Sequence, residues 1–434
     1  PSRPAPAAPQ AGPERAPAVF QPLHRPDAGR VFRTPGGAVR EVHAGPGRSV
    51  LFTPGALPLY RVQGPGQIAV ASPHGRWGYL QRPVRQGDEP LVQRTYVGLA
   101  GPQVSLYRPY AQGGSTYYVY TPHAYYRPAF YTTVQSPWPA PVPDDGNWRS
   151  EPWYGRYHDY YSPQEEASSS PLDWLTNRIV AMVFKDDDTI RREEGQAMES
   201  ADGGVPMSAE ARQGLATEVG REVQEESSYA PAQGGPTEPF QGAFPRIVLV
   251  STPVNAWTAT QSGALRAGDV VRIDTRPDLD RPEAQVTLMA SRTHPFPNGS
   301  VLWVGTGDLN ELLNQMRADV DRSLGDLQSR QGSGGLPPMP PEAAAPPSER
   351  YGALAQPDPQ AGAELAKVSG DFGPVPQGAG QRGAAPSLKP GMTLAQVQTL
   401  LGQPRTSADL GAKKIYFYPD LKVTFLDNRV TDIQ

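Results

Sequence analysis

A tyrosine-rich repeat between Arg76 and Tyr131 limits what this chain can fold into more than any other feature. A short β-prone unit recurs there as YLQRP, LVQRTY, VSLYRP, YYVYTP and AYYRPAFY. The equivalent position in successive units is occupied by Arg82, Arg94, Arg108 and Thr121. These residues are 12, 14 and 13 positions apart, a spacing that fits one strand plus one turn. The glycine-containing breaks QGD, AGP and QGG supply the turns. The repeat predicts an antiparallel meander.

A looser form of the same pattern precedes this repeat. VREV, SVLF, LYRV and IAVA follow one another at about ten-residue spacing, which is typical of all-β domains with tight turns. Together the two parts predict a tyrosine-rich β-domain, a meander or sandwich, over residues 31–134. We expect the tyrosines to pack across strands with their hydroxyls at the surface. A sugar-stacking platform is the alternative.

The composition argues against one large core. Hydrophobic residues make up 38% of the 434, below the usual share of about 45–50%, and 51 prolines and 45 glycines indicate many linkers and turns. The net charge of −4 provides no field that favours nucleic acid or an anionic membrane. No apolar run approaches the length of about 20 residues that a membrane span needs.

The first 30 residues predict a proline-rich extended arm. Their opening, PSRPAPAAPQ, resembles the start of an export product after signal-peptide removal, and the lack of cysteine is compatible with an exported bacterial protein. We therefore expect an extracellular or cell-surface location, with the periplasm as the alternative. Val19, Phe20, Val31 and Phe32 are the apolar residues that could anchor the arm to a neighbour.

Residues 135–170 are rich in tryptophan, tyrosine and proline and show neither strand nor helix periodicity, so they predict a segment that wraps over another surface. Trp138, Trp148, Trp153 and Tyr154 are the candidate interface residues, because tryptophan and tyrosine are enriched in interface hot spots. Docking on the chain's own β-domain is the simpler expectation.

A helical segment follows at residues 171–228. Its first helix, over 171–184, has Ser170 as N-cap and Pro171 at its first position. A second helix over 209–226, capped by Ser208, has only a thin apolar stripe, which favours a partner helix or a spacer over a core position. Residues 229–243 predict a linker.

Residues 244–330 predict a small barrel-like or sandwich β-domain of four strands with a covering helix at 309–329, N-capped by Asp308. Asn298 matches a glycosylation acceptor, although a simple turn is favoured there in a bacterial protein. Residues 331–387 return to proline, glycine and alanine and predict a second linker, with at most a helical turn or two between Tyr351 and Val368.

The C-terminal module, residues 388–434, carries the strongest motif. GMTLAQVQTLLGQP predicts a helix with Thr393 as N-cap, and two β segments follow, KKIYFYP and KVTFLDNRVTDIQ, the second with a tight turn at Asp427-Asn428. This order resembles the SmpA/OmlA domain of small outer-membrane assembly lipoproteins, which implies an α/β docking module. Members of that family are anchored through a cysteine, which this sequence lacks. The order of all the parts resembles uncharacterised secreted proteins of soil bacteria such as acidobacteria.

A search for chemistry yields no catalytic, cofactor or metal residue. The six histidines stand apart, and no nucleophile elbow, phosphate loop or dinucleotide fingerprint occurs. The acidic run at Asp186, Asp187 and Asp188 lacks calcium-loop spacing, which favours a solvated helix end. Carboxylates brought together by folding remain the one route to an enzyme.

The sequence as a whole predicts a multidomain, mainly β protein with α+β parts. The leading function is an exported, non-enzymatic structural protein that self-assembles at the cell surface into a homo-oligomer or filament. The alternatives are an envelope scaffold that docks other proteins through the SmpA/OmlA-like module, or an aromatic-rich polysaccharide-binding protein. Nucleic acid is not an expected partner, and no cofactor is expected.

Overall fold

The structure is a computed structural model. It describes residues 30–34, 37–98, 103–142, 147–162, 168–193, 205–232, 234–292, 296–372, 392–394, 397, 406–410, 413–418 and 421–433. Strand accounts for 33% and helix for 30% of the protein, so the fold is mixed α/β rather than mainly β. The difference arises because helices form where the sequence predicts none or a shorter one, at Pro128–Val134, at Ala361–Phe372 and in the extension of the helix from Pro171 to Glu193.

The predicted meander is confirmed as one nine-stranded antiparallel sheet in strictly sequential order. The prediction is wrong for the fifth tyrosine unit, AYYRPAFY, because Ala124–Tyr125 pairs outside this sheet and a helix begins at Pro128, where proline suits the first helical turn. Its strands are Val31–Arg33 (β1), Val39–Gly45 (β2), Arg48–Leu51 (β3), Leu59–Gly64 (β4), Gln67–Ala71 (β5), Gly78–Gln86 (β6), Glu89–Val97 (β7), Gln103–Gln112 (β8) and Ser115–Thr121 (β9). Between β8 and β9 the turn is Gly113-Gly114, both at positive φ, as a tight two-residue hairpin requires.

The middle of the chain is helical and forms much of the main core. Its elements are Ala124–Tyr125 (β10), Pro128–Val134 (α1), Tyr154–Tyr157 (α2), Pro171–Glu193 (α3) and Ala209–Tyr229 (α4), with short 3-10 helices at Asn147–Ser150 and Ala230–Ala232. Both predicted serine caps are confirmed. Ser170 accepts a hydrogen bond from Asp173 N at 3.1 Å, and Ser208 accepts one from Ala211 N at 3.2 Å.

Helix α4 does not act as a spacer, and that prediction is wrong. Leu215, Val219 and Val223 are at most 2% exposed and pack in the main hydrophobic core with side chains of α1, α3 and the later helix Thr306–Arg330. The apolar stripe is thin because glutamates occupy the rest of the buried face. Those glutamates are accommodated by arginines from other elements, which the local pattern does not reveal.

The second sheet has six antiparallel strands instead of four, and no barrel closes. Its strands are Arg246–Leu249 (β11), Val254–Trp257 (β12), Ser262–Leu265 (β13), Val270–Ile273 (β14), Glu283–Ala290 (β15) and Val301–Gly305 (β16), in the order β11-β14-β15-β16-β12-β13. Helix α5, Thr306–Arg330, follows directly and covers this sheet, as predicted. Its N-cap is Gly305, so the prediction of Asp308 is wrong; Asp308 lies inside the helix and pairs with Arg40.

Part of the predicted linker 331–387 is folded onto the β-domain. Ser348–Glu349 (β17) pairs with β10, and Ala361–Phe372 (α6) packs against the central strands of the meander. Tyr351 is fully buried beside Leu91 and Leu106. The rest of that linker, from residue 373, lies outside the described residues.

The C-terminal module contains a four-stranded antiparallel sheet made of Thr406–Leu410 (β18), Lys413–Tyr418 (β19), Leu421–Leu426 (β20) and Arg429–Ile433 (β21). The predicted tight turn is confirmed, because Asp427 and Asn428 have φ values of 49° and 60°. Val397, Val423, Phe425 and Val430 form its core. Most of the predicted helix at 391–404 lies outside the described residues.

Candidate functional site

A buried ionic junction joins α4, β11 and α5. Glu218, Glu222 and Glu225 follow one another at helical spacing on α4 and all bind Arg246, the first residue of β11. Arg246 is 1% exposed, and its Nη1 donates to Glu225 Oε1 at 2.9 Å. Because an unpaired buried charge is strongly unfavourable, this set holds the helix and the sheet in one arrangement.

A second arginine enters the junction from α5. Arg317 Nε donates to Glu222 Oε2 at 3.1 Å, and its Nη2 lies 3.6 Å from Glu225 Oε2. Burial raises the pKa of Glu225 above its usual value, and the charge of Glu222 raises it further. Three carboxylates therefore share two guanidinium groups.

Two further carboxyl groups lie buried beside this junction. Glu226 of α4 accepts a hydrogen bond from the Tyr131 hydroxyl at 2.7 Å, and Asp321 of α5 accepts one from the Tyr120 hydroxyl at 2.7 Å. Burial, reinforced by the charge of Asp321, raises the pKa of Glu226 well above its usual range. Burial also raises the pKa of Asp321, whose nearest imidazole, His123, lies 3.9 Å away. Folding thus brings the carboxyl groups of Glu226 and Asp321 close together, and burial makes both easier to protonate than they would be in water.

A small cavity opens among these groups. Its volume is about 30 Å³, enough for a group the size of one water molecule. Its wall includes Tyr120, Glu222, Glu225, Glu226, Tyr229 and Arg317. The remaining lining residues, Pro122, Pro236 and Val320, are apolar.

Arg94 of the meander fixes α5 to the sheet. Its guanidinium carbon lies 4.5 Å from the ring centres of Tyr79 and Tyr107, and its Nη1 pairs with Glu311 of α5. The predicted cross-strand packing of tyrosines is confirmed, since Tyr79 faces Tyr96 directly with ring centres 5.7 Å apart. Their hydroxyls are not all at the surface, however.

The clearest exception is the buried pair of Tyr96 and Tyr107. Their hydroxyls hydrogen-bond to each other at 2.9 Å, and burial raises the pKa of Tyr107 to about 12. These tyrosines surround an arginine of their own chain. They are therefore occupied internally and do not form an open stacking platform.

The outer edge of β9 is closed by two asparagines of α5. Asn310 Nδ2 and Asn314 Nδ2 both donate to Tyr118 O at 2.7 Å, and Asn314 Oδ1 accepts from Tyr120 N at 3.0 Å. These bonds take the place of a tenth strand. Tyr118 O and Tyr120 N are therefore not available to pair with another chain.

The acidic run on α3 is not a solvated helix end, and that prediction is wrong. Asp187 and Asp188 are 6% and 1% exposed, and the helix continues to Glu193. Asp187 accepts from Arg191 Nε at 2.8 Å, and Asp188 accepts from Arg192 Nε at 2.8 Å. Within the described residues, no group of three or more histidine, aspartate or glutamate side chains is placed to hold a metal ion.

Two of the four predicted arm residues lie in the meander itself. Val31 and Phe32 form β1, the terminal strand of the sheet, and both side chains are half-buried. The ring of Phe32 lies 4.7 Å from that of His43. Val19 and Phe20 lie outside the described residues.

The predicted interface residues of the tryptophan-rich segment pack on their own chain where their side chains are described, but on the helical core and not, as the sequence predicts, on the tyrosine-rich β-domain. Trp153 is 2% exposed and stacks on Phe184 at 6.0 Å, while Trp138 and Tyr154 are half-buried against the same core. Trp148 lies in the 3-10 helix Asn147–Ser150, and its side chain lies outside the described part. A contact of these residues with a second chain stays a prediction.

Asn298 lies at the exposed turn between β15 and β16, where Gly299 adopts a φ of +84° and Ser300 N donates to Pro297 O at 3.1 Å. The site is a turn, as favoured from the sequence. Attachment of a glycan at Asn298 is untested.

Comparisons with protein-family models, with curated proteins and with solved structures find no match. The likeness of the C-terminal module to the SmpA/OmlA domain therefore rests on its motif. None of the helices in the described ranges combines the length and the hydrophobicity that crossing a bilayer requires.

The ionic junction is not among the features predicted from the sequence. One signal was present, because Glu218, Glu222 and Glu225 recur at helical spacing beside the buried Val219 and Val223. A run of acids so close to an apolar stripe indicates a buried cationic partner. The identity of that partner is set by the tertiary fold.

Proposed function

We propose that this chain is an exported, non-enzymatic structural protein that self-assembles at the cell surface. The observation that carries the proposal is the position of β1. It is the terminal strand of a large sheet, and it follows directly on the proline-rich arm of residues 1–30. The sequence of residues 1–30 predicts an extended arm, and such an arm next to a sheet edge would provide both halves of a strand-addition contact.

The two edges of the meander differ, and this difference favours a head-to-tail contact between molecules. The β9 edge is occupied by Asn310 and Asn314, whereas β1 pairs with β2 alone among the strands of the described ranges. We therefore expect a neighbouring chain to extend the sheet beside β1. A contact made between the arm of one molecule and β1 of the next is head-to-tail, and repetition of it generates a filament unless it closes into a ring.

The size of β1 limits the strength of each such contact. The strand has three residues, and its pairing with β2 is irregular between Phe32 and Arg33. Short, irregular edge strands form few intermolecular hydrogen bonds. We therefore expect assembly at the high local concentration of a surface layer, with Val19 and Phe20 of the arm adding apolar contacts.

The buried charges support a non-enzymatic role. Arg94, Arg246 and Arg317 are each paired with carboxylates of another element, and all three join layers of the fold. These ion pairs hold the layers of the fold in one rigid arrangement, and a subunit of an assembly needs such rigidity.

The test is sedimentation velocity of the full chain over a range of concentrations, with negative-stain electron microscopy of the same samples. We expect species that grow with concentration, and we expect Val31→Lys to suppress them. Thr116→Lys is the matched control, because Thr116 is an exposed residue of β9, at the closed edge. Monomers at every concentration, or equal effects of the two substitutions, would contradict the proposal.

A second candidate is an envelope scaffold that docks partners through its SmpA/OmlA-like C-terminal module. Leu426 favours it, because this large apolar residue is 48% exposed at the end of β20. Binding of the full chain to solubilised bacterial envelope proteins should then fall in Leu426→Lys. The same substitution should leave self-association unchanged, which separates the two candidates.

A further inference from the structure

The cavity between α4, α5 and the end of β9 has an unsatisfied donor. Arg317 is 7% exposed, and among the described residues its Nη2 has no hydrogen-bond partner. Glu225 Oε2, at 3.6 Å, is beyond hydrogen-bond distance. A buried donor left unpaired is unfavourable, so Arg317 Nη2 is a donor that an incoming acceptor would satisfy.

The same cavity also presents acceptors. Glu222 and Glu226 lie in its wall at 5% and 7% exposure, and Glu225, at 22%, is its most accessible carboxylate. Glu222 is engaged by both Arg246 and Arg317, so its charge is largely compensated. Glu225 binds Arg246 through Oε1, so its Oε2, which lies 3.6 Å from Arg317 Nη2, is the carboxylate oxygen available to an incoming group.

The charges of Arg317 and the glutamates determine which kind of ligand group can bind in the cavity. An ammonium group would satisfy the carboxylates but would meet the charge of Arg317. A carboxylate or phosphate would satisfy Arg317 but would meet three glutamates. A hydroxyl group can accept from Arg317 Nη2 and donate to Glu225 at the same time, and it carries no charge.

From this geometry we infer that the cavity binds one hydroxyl group of a neutral saccharide. The volume of about 30 Å³ admits a single hydroxyl, so the sugar ring would remain at the opening. There Tyr229, which is half-buried and lines the cavity, supplies an aromatic surface for the ring. The site is distinct from the tyrosines around Arg94, and it does not depend on self-assembly.

The test is saturation-transfer NMR and calorimetry on the full chain with glucose, galactose and mannose as probes. One hydroxyl and one aromatic contact correspond to weak affinity, with Kd on the order of 1 mM. Glucosamine and glucuronate are the charged comparison probes. We expect at least one neutral sugar to bind in a saturable way, and to bind more tightly than either charged probe.

Two substitutions test the assignment to this cavity. Glu225→Ala removes the available acceptor and Tyr229→Ala removes the aromatic wall, and each should weaken binding about tenfold or more. Glu210→Ala is the matched control, since Glu210 is exposed in the first turn of the same helix. Thermal unfolding of each variant verifies that it folds.

Three outcomes would overturn the inference. Absence of saturable binding by any neutral sugar would mean that the cavity holds only water. Tighter binding of a charged probe would mean that the hydroxyl assignment is wrong. Equal binding by the wild-type chain and both folded variants would place the sugar elsewhere.

Discussion

Replacing Arg246 by methionine is expected to destabilise the protein more than any comparable change at its surface. The substitution keeps an unbranched side chain of similar length but removes the charge that Glu218, Glu222 and Glu225 share. Removing one partner of a buried ion pair costs about 3–5 kcal/mol, because the other charge stays buried and unpaired. With three carboxylates around one arginine, we expect a loss near the upper end of that range, against a total stability of about 5–15 kcal/mol.

Urea unfolding followed by tryptophan fluorescence measures this loss, since Trp153 and Trp174 are both buried in the core. Arg276→Met is the matched control. Arg276 pairs with Glu238 at 2.9 Å, but the two side chains are 46% and 36% exposed, so its loss should be about 0–1 kcal/mol. A loss below about 1 kcal/mol for Arg246→Met would refute the reasoning, because it would show that water or local relaxation compensates the carboxylates.

The pH dependence of the same variant gives an independent check. Burial raises the pKa of Glu218 above its usual value even with Arg246 present. Without the arginine, the folded-state pKa values of Glu218 and Glu225 should rise further, so proton uptake stabilises the folded variant as the pH falls. The loss should therefore be smaller near pH 5 than near pH 7. An equal loss at both would contradict this account.

Three further predictions follow from other parts of the structure. Burial raises the pKa of Asp319 to about 6 from 3.8, so its protonated form stabilises the fold below about pH 4. About 3 kcal/mol of the free energy of unfolding is lost as the pH rises through 6. Asp319→Asn should remove this pH dependence from the free energies measured by urea unfolding. Asn314→Leu should cost about 1–3 kcal/mol in the same assay, because Tyr120 N loses its buried acceptor; an unchanged midpoint would argue against this role. Asn428→Ala should destabilise the C-terminal sheet by about 1 kcal/mol while Asn428→Gly should not, as amide hydrogen exchange can measure.

Local signals were sufficient to predict the meander and several of its details. A strand period of 12 to 14 residues, with glycines in the breaks, is read from neighbouring residues, and each strand pairs with the next along the chain. The caps Ser170 and Ser208 and the turn at Asp427-Asn428 are likewise decided within a few residues. Such features depend on backbone preferences that the sequence displays directly.

The candidate site could not be predicted in this way, because its members meet only through the tertiary fold. Arg94 and Glu311 are 217 residues apart, and Glu222 and Arg317 are 95 apart. A glutamate on a helix has the same local pattern whether it faces water or a buried arginine. The order of the second sheet, in which β12 lies next to β16, is also set by non-local pairing.

The closed edge of β9 has a consequence for how the chain folds. Tyr120 and Asn314 are 194 residues apart, whereas every strand of the meander pairs with its neighbour in sequence. Sheets built from local hairpins form early, and long-range contacts form late. The meander can therefore be complete while its last strand still exposes unpaired amides, until α5 arrives from far along the chain. During that interval the β9 edge, which α5 covers in the folded protein, is exposed and can pair with other chains, so aggregation is most favoured there.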